Sequence, residues 1–308
     1  MKKILIIKHG SLGDIIMSLI AFFSIRNYFI KDKLYLLTEK KYKNFFKKSF
    51  LVDEIIEDNR DSNLIKNFKK IQAVAKNNFD FIIDLQNSKR TFFYNLLFRF
   101  FTYAKINSSR PLAHYRYNIP KQGKETVSEG LMNQLNLMGI KKSEEAMVDY
   151  NWLRVDIIDE FKEPLAIFIP GVSRSGFSKQ WQPEKFAIIA KNLEDLGYTI
   201  CVLGTNLDLD SAKPIIKSCK KILNKIDKSP PEIIYSLALK AKIIFSNDTG
   251  PGHIAALAKK NFIRLVNNNN LSKTSKPSGS HIFDIQDKSV KNIQVSKVMS
   301  FLNAKKLI

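Results

Sequence analysis

Asp14 ends the stretch Lys8-His9-Gly10-Ser11-Leu12-Gly13-Asp14, which joins an apolar run at residues 4–7 to an apolar pattern at Ile15, Ile16, Leu19, Ile20 and Phe23. A carboxylate there has two physical readings. It can cap the helix that starts at that point. At the carboxyl edge of a parallel sheet it can instead accept a proton from an attacking hydroxyl. Gly10 and Gly13 permit a sharp turn and let a ligand approach the backbone. The loop has neither the Gly-Lys-Ser/Thr of a P-loop nor G-x-G-x-x-G, because position 12 is Leu.

Two later stretches suit phosphate. Ser246-Asn247-Asp248-Thr249-Gly250-Pro251-Gly252-His253 follows an apolar run and opens a helical pattern. Amides at a helix start attract anions, and Gly-Pro-Gly leaves the approach clear. Thr249 adds a hydroxyl, and His253, one turn in, is placed for phosphate or ribose. The other reading is a capped helix with His253 packed. The stretch from Pro170 to Pro183 carries Gly171, Gly176, Arg174 and Lys179, a basic and flexible composition suited to a diphosphate. Its other reading is a surface loop anchored by Trp181. Pro183 stands where proline is favoured, in the first turn of a helix.

These stretches need a scaffold. Continuous apolar runs at 4–7, 34–37 and 79–85 read as strands buried on both faces. A short strand at 53–57 joins them, with helices at 40–50, 61–77, 89–101 and 124–138, and a basic loop reaches Arg116. Residues 141–164 are polar and read as a connection. A second series follows, with strands at 165–169, 198–203, 242–246 and 262–266. Its helices fall at 183–196, 209–219, 231–240 and 250–259, with a loop at 267–280 and a last helix at about 290–303. This alternation predicts an α/β fold of two doubly wound, Rossmann-like domains, 1–155 and 156–308. The loops would then line a crevice at the carboxyl ends of the strands, where ligands bind in such folds.

Composition narrows the class. The chain has 308 residues, 50 Lys and Arg against 29 Asp and Glu, and a net charge of +21. Its length suits two domains, and 44% hydrophobic with 26% charged residues excludes wholesale disorder. The charge favours nucleic acid, an anionic membrane surface or phosphorylated small molecules. No zinc-finger spacing, aromatic RNA-binding pattern or basic heptad helix is present, so no nucleic-acid partner is expected. Cys201 and Cys219 have no metal or redox spacing and read as reduced thiols. Only four apolar residues follow Met-Lys-Lys, which is no signal peptide, and no apolar run reaches the roughly 20 residues of a membrane span. The expectation is a cytoplasmic protein without a metal site.

Lys8-x-x-x-Leu12-Gly13-Asp14-Ile15-Ile16, Asp84-x-Gln86, Lys179-x-Trp181-x-Pro183 and Asp248-Thr249-Gly250-x-x-His253 occur in an order that resembles glycosyltransferase family 9, the bacterial heptosyltransferases. The resemblance covers nearly the whole chain, and the Asp-Thr-Gly-x-x-His element is its most specific part. It implies the GT-B fold, two Rossmann-like domains facing a cleft, with the last helix crossing back to the first. It implies an inverting, metal-independent transfer of heptose from ADP-heptose to a lipopolysaccharide core, without a cofactor. Carried over by position, Asp14 is the catalytic base. Lys179 contacts the donor phosphates, with Arg174 beside it. Asp248, Thr249, Gly250 and His253 form the nucleotide loop, and Asp208 binds the ribose. Ser11, Gly13, Gln86 and Arg90 lie on the acceptor side.

Three departures fall in acceptor- or sugar-facing regions: Asn87 replaces a glycine, Asn267 to Asn270 replace a Gly-Pro turn, and a histidine near 126 is absent. The alternatives are a relative that acts on another glycan or has lost catalysis, and, more remotely, a basic nucleic-acid-binding protein. An anionic glycolipid acceptor would bring the enzyme to the anionic inner face of the cytoplasmic membrane, with Lys40, Lys41, Lys43, Lys47 and Lys48 as candidate contacts.

Overall fold

The computed structural model describes residues 1–144, 147–158 and 161–308, apart from the side chains of Arg174 and Ser175. The chain forms two compact units, 1–121 with 127–152, and 122–126 with 153–308.

The first unit runs β1 (Lys3–Ile7), α1 (Leu12–Tyr28), β2 (Lys33–Thr38), α2 (Lys43–Ser49), β3 (Glu54–Glu57), α3 (Leu64–Ala75), β4 (Phe81–Asp84), α4 (Lys89–Phe101), β5 (Lys105–Ser108), β6 (Tyr115–Arg116) and α5 (Val127–Asn136). Its six strands are parallel, in the order β3-β2-β1-β4-β5-β6. Ile4, Leu5, Ile6 and Ile7 of β1 are all fully buried, as a central strand covered on both faces requires. Leu5, Ile7, Leu37, Ile71, Tyr94, Phe98 and Ile106 pack into one core.

The second unit runs β7 (Leu165–Ile169), α6 (Pro183–Asp195), β8 (Thr199–Gly204), α7 (Leu209–Ser218), β9 (Ile222–Ile226), α8 (Pro231–Lys240), β10 (Ala241–Asn247), α9 (Gly250–Ala256), β11 (Asn261–Asn267), α10 (Asn270–Thr274), β12 (Ile282–Asp287) and α11 (Val295–Ala304). Its order, β12-β11-β10-β7-β8-β9, is also parallel throughout. Phe168 and Phe245 stack at 5.0 Å in its core, which also takes Trp181, Phe186, Val202 and Leu265. Val298 and Leu302 of α11 are buried in that same core.

Both sheets share one strand order, with a reversal beside the first strand, between β1 and β4 and between β7 and β10. Loops leaving the carboxyl ends of those paired strands open the crevice that ligands occupy in doubly wound sheets.

Four strands lie outside the expected series. β5 and β6 fall within the expected basic loop, while β9 and β12 were not foreseen. β6 has only two residues, and β9 is interrupted by Asn224 and Lys225, so neither makes a continuous apolar run. The expected loop at 267–280 contains α10, capped by the Asn269 side chain accepting from the Ser272 N–H. The helix expected at 250–259 stops at Ala256.

Candidate active site

In the first unit the loops after β1 and β4 are laced together. Gln86 Oε1 accepts from the His9 N–H at 3.1 Å, and Lys8 Nζ reaches the Leu85 carbonyl at 3.4 Å. Asp84, fully buried, shapes its own loop. Its Oδ1 accepts from the Gln86 and Asn87 N–H groups, while Oδ2 accepts from Asn95 and Ser108. Burial pushes the Asp84 carboxyl up, and those donors oppose the rise.

Asp14 meets the capping expectation. Its Oδ2 accepts from the Ser11 N–H at 2.9 Å and the Ser11 hydroxyl at 2.8 Å, while Ser11 caps the Asp14 N–H. This reciprocal cap fixes the carboxylate in one rotamer. Among the described residues no hydrogen-bond partner stands at Oδ1. Gly10 is needed beside it, because its φ is +114° and a Cβ there would come within 2.8 Å of Asp14 Oδ2. Lys8 is buried; burial pushes its ammonium down, and the charges of Asp14 and Asp84 push it back up. Gly13 is buried in the first turn of α1. Arg90 turns to the Asp61 carbonyl, at 2.6 Å from Nη1.

In the second unit, Asn247 joins the loops after β7 and β10. Its Nδ2 donates to the Pro170 carbonyl at 2.8 Å, and its Oδ1 accepts from the Trp181 N–H at 3.0 Å. Trp181 is fully buried, with Nε1 donating to the Ile293 carbonyl and its ring edge-on to Phe186. That anchor fixes the main chain two residues beyond Lys179. Lys179 Nζ then stands 3.1 Å from Asp248 Oδ2.

Asp248 gathers further partners. Arg264 Nη1 lies at 3.3 Å and His253 Nε2 at 3.6 Å from Oδ1, and the Ser275 hydroxyl donates to Oδ2 at 2.8 Å. Burial alone would raise this carboxyl; His253, Arg264 and Lys179 hold it well below the usual carboxylate range. Arg264 forks onto Asp284 with two contacts of 2.9 Å, and Lys276 approaches Asp284 at 3.8 Å. Three obligate cations thus face two carboxylates, an excess that favours an added anion.

Thr249 precedes α9, but its side chain makes no cap hydrogen bond and remains available. Gly250 opens the helix. The helix has seven residues, not the expected ten. Asp208 follows β8, the second strand of this unit, where an acidic residue meets a ribose hydroxyl in dinucleotide folds. It accepts from the Thr205 N–H at 2.8 Å and lies so close to Gly171 that any side chain at 171 would fall on its carboxylate. The side chain of Arg174 lies outside the described residues.

The first unit therefore gathers Ser11, Gly13, Asp14 and Gln86, with Arg90 directed elsewhere. The second gathers Lys179, Asp248, Thr249, Gly250 and His253, with Asp208 beside Gly171. Sequence reasoning missed Arg264 and Asp284, though an arginine inside the apolar strand run 262–266 was itself a signal, since a buried charge demands a partner. It also missed Asp58, which is buried between His9 at 3.1 Å, Tyr94 at 3.0 Å and Lys70. Among the described residues no group of three or more His, Cys, Asp or Glu is placed to hold a metal ion.

Comparison with known proteins adds the lineage. The model of glycosyltransferase family 9 (heptosyltransferase) matches residues 67–289. No curated protein sequence matches the chain. A family 9 glycosyl transferase from Veillonella parvula is similar in structure, with a TM-score of 0.79, 16% identity, and 98% of this chain and 96% of that one covered. E. coli ADP-heptose lipopolysaccharide heptosyltransferase II has a TM-score of 0.71 at 17% identity, covering 98% of each chain. E. coli heptosyltransferase WaaC, solved with ADP-2-deoxy-2-fluoro heptose, has a TM-score of 0.73 at 17% identity, covering 98% of this chain and 99% of that one. At such identities the likeness shows the fold, two parallel six-stranded Rossmann-like sheets of the GT-B class.

Proposed function

The chain belongs to glycosyltransferase family 9, the heptosyltransferases, and from that premise we propose that it transfers heptose, with inversion, from ADP-heptose to a lipopolysaccharide core or related anionic glycolipid. The observation that carries this reading is the Lys179–Asp248–Arg264 cluster at the strand-order reversal of the second sheet, a cationic cradle beside the free Thr249 hydroxyl.

Inversion requires an acceptor hydroxyl to attack the anomeric carbon from the face opposite the diphosphate. Asp14 is the base. Ser11 holds its Oδ2, which leaves Oδ1 to take the hydroxyl proton. As the bond to the diphosphate breaks, negative charge grows on the leaving oxygens. Lys179 and Thr249 stabilise it with groups already in place, so no reorganisation is needed during the reaction. Asp208 takes a ribose hydroxyl. Gln86 lies toward the acceptor, through its amide nitrogen because its oxygen is held by the His9 N–H.

The test is calorimetry with ADP, UDP, GDP and CDP, followed by mass-spectrometric detection of donor consumption with lipid A–core acceptors. ADP binding with ADP-heptose consumed is the expected result. Binding of an oligonucleotide with no response to any nucleotide would overturn it.

A further inference from the structure

Helices α3 and α4 of the first unit lie against each other, with Phe68 edge-on to Phe101 at 5.3 Å and Phe101 edge-on to Phe100 at 5.2 Å. Their inner faces supply core residues such as Ile71, Val74, Tyr94 and Phe98. Their outer faces are apolar as well. Ile65 is 67% exposed, Phe100 81%, and Leu64, Phe68 and Leu96 are exposed beside them. Tyr103, just past α4, is wholly exposed. Leu64, Ile65 and Phe68 recur at three- and four-residue spacing, so they share one stripe of α3.

The two helices carry no acidic residue, while Lys66, Lys69, Lys70, Lys89, Arg90 and Arg99 are all on them. Lys70 and Arg90 are held inward by Asp58 and the Asp61 carbonyl. Lys69, adjacent to Phe68, and Lys105, two residues past Tyr103, are exposed and have no ion-pair partner among the described residues. Asp61, in the loop before α3, pairs with Lys66 at 3.3 Å. Aromatic and aliphatic side chains among cations, on two helices that bear no carboxylate, match an anionic lipid interface. The rings enter the boundary between headgroups and acyl chains, and the lysines meet lipid phosphates. A second copy of this chain suits the surface poorly, because each copy would bring the same cations to the contact. By contrast, Lys41 and Lys43 near α2 are paired with Glu39 and Glu57, and Phe45 and Phe46 point into the core.

We infer that the outer face of α3 and α4 docks the enzyme on an anionic membrane surface. The choice of a lipid occupant rests on the proposed transfer to a glycolipid.

The experiment is co-sedimentation of the full chain with vesicles of phosphatidylcholine, alone or mixed with phosphatidylglycerol. Wild type should bind the anionic vesicles preferentially. The double variant Ile65→Ser with Phe100→Ser should bind at least about tenfold more weakly, since two exposed apolar side chains are lost. Lys69→Glu with Lys105→Glu should cost about tenfold or more on anionic vesicles only, while Lys47→Glu should change little. All four apolar and basic positions are solvent-exposed, so folding is not at risk. Wild-type failure to bind, or full binding by the Ile65→Ser/Phe100→Ser variant, would overturn the inference. So would a concentration-dependent dimer without lipid that this variant abolishes. ADP affinity, measured without vesicles, tests the transferase reading separately and should be unchanged in every variant.

Discussion

The ammonium of Lys179 lies 3.1 Å from the carboxylate of Asp248, a residue 69 positions further along the chain. The contact joins the loop after β7 to the loop after β10, across the strand-order reversal of the second sheet. Lys179 is the accessible member and Asp248 the buried one, so the two should fail differently when removed.

Lys179→Ala should leave stability within about 1 kcal/mol of wild type, as for other partly exposed pairs. Its ADP affinity should fall roughly tenfold or more through loss of a charge-assisted contact. Asp248→Ala should instead destabilise the fold by about 3–5 kcal/mol, because Arg264 would be buried facing one partner fewer. Thermal melts beside calorimetry separate the two; equal ADP affinity in wild type and Lys179→Ala would remove Lys179 from the donor site.

Asp14→Asn keeps an oxygen to accept from Ser11 but gives up the basic carboxylate. Its kcat should fall about 10²–10⁴-fold with ADP affinity nearly intact. Asp14→Ala should lose the cap as well and melt lower, by about 1 kcal/mol. A near-native rate in Asp14→Asn would rule out the base assignment.

Asn87 has a φ of +53°, the left-handed region, which explains how it occupies a position where the family resemblance led us to expect glycine. Its side chain also accepts from Ser108 and Ser109 and donates to Gln134. Asn87→Gly and Asn87→Ala both lose these bonds, but only alanine meets backbone strain. Alanine should therefore be less stable than glycine by about 1 kcal/mol in denaturant melts; equal stabilities would show that the loop relaxes.

Asp58 and Asp248 both sit below the usual carboxylate range. In each, burial acts upward and is outweighed, at Asp58 by His9, Lys70 and the Arg60 N–H, and at Asp248 by His253, Arg264 and Lys179. A depressed folded-state pKa contributes stability above the unfolded value of about 4, and that contribution is lost as pH falls through the folded value. Stability should therefore drop on acidification below about pH 4. Asp58→Asn should be less stable at neutral pH and show a shallower acid slope; parallel slopes would contradict this linkage.

Unbroken apolar runs at 4–7 and 165–169 identified central parallel strands, because a strand covered on both faces has no polar positions. Glycine, proline and a chargeable residue just past such strands marked the site loops, and the Asp-Thr-Gly-x-x-His element led to the family. The short edge strands β6 and β9 left no such pattern, since an edge strand can carry polar residues or stop after two residues. Nor does spacing reveal who pairs with whom. Arg264 and Ser275 meet Asp248, and Asp284 meets Arg264, only because parallel pairing brings β10, β11 and β12 side by side. The exposure of Ile65 and Phe100 was equally hidden, for an apolar residue on a helix reads as core until the packing shows which side faces water.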